Sequence, residues 1–269
     1  HDLRESSLNV KKNKFVVYTA LFGKYDDLLD PVPSADCDYI CFTDDPLFKS
    51  DLWVIQVVPC ILSDKMMNRL YKIKPHVYLK DYAASIYLDS NIKILKDPIG
   101  LFNKYLDSSN FLAIKHVERN CIYSEALCYL ANRGKDYKLA IDQMLFYAKE
   151  GYPINNTLTE NRILFRSHND KEVNSLMEMW WKELNTWVQR DQLSLCYVAW
   201  KMKFKIGFIS ENPRFKNDYF KWCPHKENDK RLFYRLIRKL KFYCRLILIY
   251  PIFVFKIGII GKAFFNKPV

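Results

Sequence analysis

After a polar lead the chain turns abruptly apolar at FVVYTALFG (Phe15–Gly23), a short run that glycine ends. Such a run reads as a buried strand opening a domain. DYICFTDD (Asp38–Asp45) is a second strand closing on a polar turn, and LWVIQVV (Leu52–Val58) a third. KMMNRLYKIKPHVYL (Lys65–Leu79) has helical spacing interrupted by Pro75, and SIYLDSNIKIL (Ser85–Leu95) reads strand, acidic turn, strand. FLAIKH (Phe111–His116) is a strand entering a loop, Ser124–Gly151 one or two helices, and RILFR (Arg162–Arg166) a further strand. VNSLMEMWWKELNTW (Val173–Trp187) is an amphipathic helix, and RDQLSLCYVAWKM (Arg190–Met202) begins another. Strands alternating with helices predict an α/β fold, its sheet mostly parallel and flanked by helices.

Size changes this little: 269 residues and 32.1 kDa suit one such domain with an appendage. The spans expected are a poorly ordered lead (1–14), the α/β domain (15–228) and a tail (229–269). The eight cysteines make no CxxC pair and no zinc-finger spacing, and most sit inside apolar runs, as reduced thiols do. With no signal peptide visible, the expected location is the cytoplasm.

Charge changes the picture more. The net charge is +12, and ten of the cations (Lys230, Arg231, Arg235, Arg238, Lys239, Lys241, Arg245, Lys256, Lys262, Lys267) follow Asp229, the one acid of that stretch. A basic tail on a mildly basic body excludes a nucleic-acid-binding domain as the whole reading. Lys230–Arg245 repeats apolar residues at three- and four-residue steps among its cations, and LILIYPIFVF (Leu246–Phe255) follows with Pro251 inside. Ten apolar residues cannot span a bilayer, which needs ~20. Residues 230–260 are therefore expected to lie on an anionic membrane surface, peripheral on its cytoplasmic face. The competing reading packs them on the domain or at a subunit interface.

The candidate chemistry lies at element ends. Asp89-Ser90-Asn91 puts two oxygen-bearing side chains on one strand-end turn, where a divalent cation (Mn²⁺ or Mg²⁺) would bridge a diphosphate; the plain alternative is a solvated turn. Arg190-Asp191-Gln192 reads as a helix cap, or as a carboxylate offered to a sugar hydroxyl. Arg69, Lys72, Lys74 and His76 form either a solvated helix face or a clamp on phosphate oxygens. His116, Arg119, Tyr123 and Glu125 follow a buried strand, where open α/β sheets place ligands. His225 is a lone candidate metal ligand, and a lone histidine is more often not one.

Together YTALFGKYD, DYICFTDD, NRLYKIKPH, IYLDSNI, KHVERNCIYSEA, GYPINNTLTENRILFRSHN and WWKEL…RDQLSL, collinear from Phe15 to Trp200, resemble a glycosyltransferase-like family. That family was long catalogued as a domain of unknown function and includes plant mucilage-related and bacterial polysaccharide-cluster proteins. The resemblance implies a GT-A-like fold and metal-assisted transfer from a nucleotide-sugar donor to a glycan or lipid-linked acceptor. It implies that Tyr18, Thr19, Ala20, Phe22 and Asp26 hold the nucleoside with Asp44 near the base. Asp89 and Asn91 would hold metal and diphosphate, with His225 closing the metal shell. Asp191 would serve as base, with Glu160 second, or would stabilise an oxocarbenium-like state if configuration is retained. The turn departs from the DxD of many GT-A enzymes, since Asn91 is a neutral ligand. A non-catalytic carbohydrate-binding protein is the rival reading. A nucleotidyl transferase would want a Gly-rich phosphate loop, and no GxGxxG or Walker pattern occurs.

Overall fold

The computed structural model of the chain describes residues 14–133, 136–224 and 232–258. The first apolar run forms β1 (Phe15–Leu21), every residue of it buried. A strand covered on both faces reads as a continuous apolar run, and alternation along β1 divides its residues between two cores. Val16, Tyr18 and Ala20 enter one, Phe15, Val17 and Leu21 the other. The remaining strands are β2 (Cys37–Thr43), β3 (Val54–Val57), β4 (Ala84–Leu88), β5 (Ile92–Ile94), β6 (Phe111–Lys115), β7 (Thr159–Ser167), β8 (Gly207–Ile209) and β9 (Phe220–Trp222). Seven of them form a sheet ordered β3-β2-β1-β4-β7-β6-β8. Its pairs are parallel except those of β7, which runs antiparallel to both β4 and β6. This is the expected mixed, mostly parallel α/β sheet flanked by helices, consistent with a GT-A-like fold.

The helices are α1 (Asp64–Ile73), α2 (Pro75–Tyr78), α3 (Ile99–Tyr105), α4 (Ile122–Arg133), α5 (Tyr137–Lys149), α6 (Lys171–Thr186), α7 (Leu195–Lys201) and α8 (Leu232–Ile257). α6 shows why they form where they do. Asp170 caps it by accepting from the Val173 N–H at 2.8 Å, and Val173, Leu176, Met177, Trp180 and Leu184 recur on one face and bury it. α3 covers the opposite side of the sheet, with Leu101, Phe102 and Tyr105 in the second core.

The structure extends three of the expected elements and revises one. RILFR is part of a nine-residue strand, β7. The segment after the acidic turn leaves the main sheet and pairs, as β5, with β9. Arg190–Met202 is not one helix but a 3-10 turn (Asp191–Leu193) followed by α7. The tail forms one 26-residue helix, α8, with Pro251 inside it at the loss of one backbone hydrogen bond.

α8 is also not free of the domain. Leu246, Ile249, Tyr250, Phe253 and Ile257 recur on one face and pack into the first core, where α8 meets α4 and α5. Residues 1–13 of the expected lead, and His225, lie outside the described residues.

Candidate functional site

Five elements end at one cleft, with a cavity of about 210 Å³. β4 delivers Asp89 and Asn91, α1 Arg69 and Lys72, β7 Glu160, Asn161 and Arg162, the 3-10 turn Arg190, Asp191 and Gln192, and β9 Trp222. The β7 contribution follows from an irregularity in the ladder. Ala113 of β6 faces Leu164, but the next residue, Ile114, faces Glu160. The residues between lose their partners on β6, though Ile163 still faces Leu88 of β4, and a bulge of this kind re-aims side chains.

Lys72 organises the cleft. It is 2% exposed, donates to Asp191 Oδ2 at 2.8 Å and to Asp89 Oδ1 at 3.3 Å, and lies 5.0 Å from the centre of the Tyr87 ring. Its carbonyl accepts from Arg166 Nη1 at 2.6 Å and from the Tyr18 hydroxyl at 3.2 Å, so its backbone is fixed from below. Arg69, one helical turn earlier, places Nη2 3.5 Å from Asp191 Oδ1. Burial pushes the Asp191 carboxyl up, but Arg69, Lys72 and Arg190 outweigh it and hold the group well below the usual carboxylate range. A carboxylate so held is a strong fixed charge and a weak base.

A second layer orients the rim. Buried Glu125 accepts from Arg119 Nε at 2.9 Å and from Arg190 Nη2 at 3.0 Å. His116 Nδ1 accepts the backbone N–H groups of Glu118 and Arg119, and Arg119 Nη2 stands 3.1 Å from its Nε2. Burial and then Arg119 lower the His116 pKa, keeping the ring neutral. Glu160 stands 2.9 Å from both Arg162 Nη2 and Arg214 Nε.

The structure thus brings together Arg69, Lys72, Asp89, Asn91, Glu160, Arg190, Asp191 and Gln192, with His116, Arg119 and Glu125 behind them. The others lie elsewhere. Tyr18, Thr19, Ala20 and Phe22 are buried; the Ala20 carbonyl accepts from Asn68 Nδ2 at 2.6 Å, and Phe22 stacks on Tyr71. Tyr18, Thr19 and Ala20 of β1, with Phe22 just past its end, support the cleft from the core. At the rim Asp26 accepts from Ser90 Oγ at 2.9 Å, and Asp44 accepts from the Gly23 N–H at 3.2 Å. Gly23 is required there, because φ is +68° and a Cβ would stand 2.1 Å from Asp64 Oδ2. His76 pairs with Glu178 at 2.8 Å, and the buried Tyr123 hydroxyl donates to the Tyr152 carbonyl at 2.8 Å; neither lines the cleft.

The donor set at the DSN turn suits a divalent cation poorly. It offers one carboxylate and one amide, and Asp89 Oδ1 already accepts from Lys72 and, at 3.0 Å, from the Tyr87 hydroxyl. An ion ~2.2 Å from that oxygen would stand within about 5.5 Å of the ammonium, at a repulsion of about 6 kcal/mol for an effective dielectric near 20. Among the described residues, the grouping of three candidate metal ligands is Asp44, Cys60 and Asp64, at the β1 end and not in the cleft.

Sequence reasoning passed over Asn161, Arg162 and Trp222. The signal for the first two was the polar TENR set directly ahead of the apolar ILF, at the mouth of a strand. Trp222 gave no more than an aromatic between two polar stretches. A family model described as TOD1/MUCI70, glycosyltransferase-like domain, matches residues 49–231, a span that contains every residue lining the cleft. No curated protein matches the chain.

Proposed function

The chain belongs to the TOD1/MUCI70 glycosyltransferase-like family, and we propose that it moves a sugar from a nucleotide-sugar donor to a glycan or lipid-linked acceptor in the cleft around Lys72. The observation that carries this reading is the convergence of Arg69, Lys72, Arg162 and Arg190 with Asp89, Glu160 and Asp191 on one polar cleft at strand ends. The cations suit a diphosphate and the carboxylates suit sugar hydroxyls and developing positive charge.

In the transfer the acceptor oxygen bonds the anomeric carbon as the carbon–oxygen bond to phosphate breaks. The electron pair leaves on the phosphate. Asp191, an ionised carboxylate of low basicity, stabilises cationic character at the anomeric carbon, and the acceptor hydroxyl's proton passes to the departing phosphate oxygen. Arg190, braced by Glu125, positions the leaving phosphate, and the half-exposed Trp222 offers its face to a sugar ring. Incubation with a panel of UDP-, GDP- and CMP-sugars tests the reading. A transferase slowly releases nucleotide from one of them, whereas release from none would favour a carbohydrate-binding role.

The acceptor's setting follows from α8. Its outward side carries Leu240, Tyr243, Ile247, Leu248 and Phe255, the last 90% exposed, with Lys239 and Lys241 also exposed. An apolar face edged by cations complements an anionic bilayer surface, each cation contributing about 1 kcal/mol. Among the described residues no helix is long and apolar enough to cross a membrane. The setting proposed is an anionic membrane surface, with α8 lying on it and a lipid-linked acceptor in reach.

A further inference from the structure

Lys72 stands where a bridging cation would. Its ammonium joins the carboxylates of the acidic turn and of the 3-10 turn, at 3.3 and 2.8 Å, and Arg166 and Tyr18 hold its backbone in place. A divalent ion would serve two purposes in such a cleft: to tie Asp89 to the donor's diphosphate, and to neutralise charge on the leaving nucleotide. Here the first carboxylate is already tied by an ammonium and by the Tyr87 hydroxyl. Its partner on the turn, Asn91, brings no charge.

The second purpose is met by side chains. Four cations (Arg69, Lys72, Arg162, Arg190) face three carboxylates in the cleft wall. Arg190 and Arg162 are held by Glu125 and Glu160 at 3.0 and 2.9 Å, so two forked donors are set at the rim before any ligand arrives. Preorganised donors of this kind stabilise a leaving diphosphate without reorganisation. Lys72 is nearly inaccessible and works as a buried point charge, while the arginine forks supply direct contacts.

We propose that fixed cations replace the divalent ion, so that this protein binds a nucleoside diphosphate, and releases it from a donor, without metal. The inference rests on the donor reading above and sharpens it.

Isothermal titration with UDP, GDP, CDP, ADP and TDP tests it, using the full chain stripped with EDTA and measured in EDTA, MnCl₂ or MgCl₂. The expected result is binding of at least one nucleotide in EDTA, with an affinity within about threefold of that in either metal. Arg162→Gln should weaken it about tenfold or more in every buffer. Because Lys72 is buried between two carboxylates and its variants could fail to fold, Arg162 at the rim keeps the test decisive. Binding tenfold tighter in Mn²⁺ or Mg²⁺ than in EDTA would overturn the inference and leave the donor reading standing. Absence of binding in all three buffers would remove both.

Discussion

Replacing Asp191 by asparagine removes one negative charge from between Arg69 and Lys72 and leaves the shape almost unchanged. Asp191 is 3% exposed and Lys72 2%, so the charge lost belongs to a buried pair. Breaking such a pair from one side costs about 3–5 kcal/mol, an upper range here because Lys72 keeps Asp89 Oδ1 at 3.3 Å. At 2–4 °C per kcal/mol for a domain of this size, Tm should fall by roughly 6–20 °C. The pH dependence is the sharper part. The folded pKa of Asp191 lies well below its unfolded value near 3.9, so its stabilisation is complete above about pH 4. It is lost as pH falls from there toward the folded pKa, since the unfolded state then binds a proton that the native state refuses. Each such pH unit removes about 1.4 kcal/mol from wild type and nothing from D191N. Urea unfolding of both proteins at pH 7, 5, 4 and 3 should show a gap that is constant down to about pH 4 and then narrows. A gap that stays the same at pH 3 would refute the buried ion pair as the source of the stability.

Three further outcomes are expected. Buried His168 contacts the Leu79 carbonyl and Ser85 Oγ, and burial is the main cause that lowers its pKa to about 4. Stability should therefore drop by roughly 3 kcal/mol as pH falls from 6.5 to 4, and urea titrations of His168→Gln should lack that slope. Trp222→Ala should raise the KM for the sugar bound at the rim about three- to tenfold and leave Tm within about 2 °C, as steady-state kinetics and calorimetry would show. On α8, glutamate at Ile247, Leu248 and Phe255 should abolish flotation with anionic liposomes while the thermal midpoint holds, because all three point away from the core. High salt should weaken the wild-type protein's flotation.

Much of the fold was legible because strands buried on both faces leave long apolar runs, as β1 and β2 do, and α6 repeats its apolar residues at helical spacing. The 3-10 turn at Asp191 escaped, since a capped helix start and a single tight turn share the same residue types. The antiparallel direction of β7 escaped as well: strand direction lies in long-range pairing, and no local pattern encodes it. In the cleft, Arg69, Lys72, Asp89 and Asp191 could be picked out as polar residues at element ends. What the chain could not display was their mutual distance, and it is the 2.8 Å between Lys72 and Asp191 that turns a possible base into a fixed charge. Asn161 was hidden for a related reason, because the register shift that re-aims it is a property of two strands together.

The placement of α4 carries a consequence for acceptor length. Near its start Glu125 braces Arg190 at the cleft, and near its end the Asn132 carbonyl accepts from Arg245 of α8 at 3.2 Å. Between these two points the helix rises about 10 Å at 1.5 Å per residue. One stiff strut therefore joins the cleft to α8. Were α8 to rest on a bilayer as proposed, α4 would hold the cleft at a set distance from the lipid headgroups. Such an enzyme would act as a gauge: a lipid-linked chain too short to climb to the cleft goes unextended, and one long enough is taken whatever lies beneath. A ladder of synthetic acceptors differing only in spacer length should then show a threshold in rate and not a gradual decline.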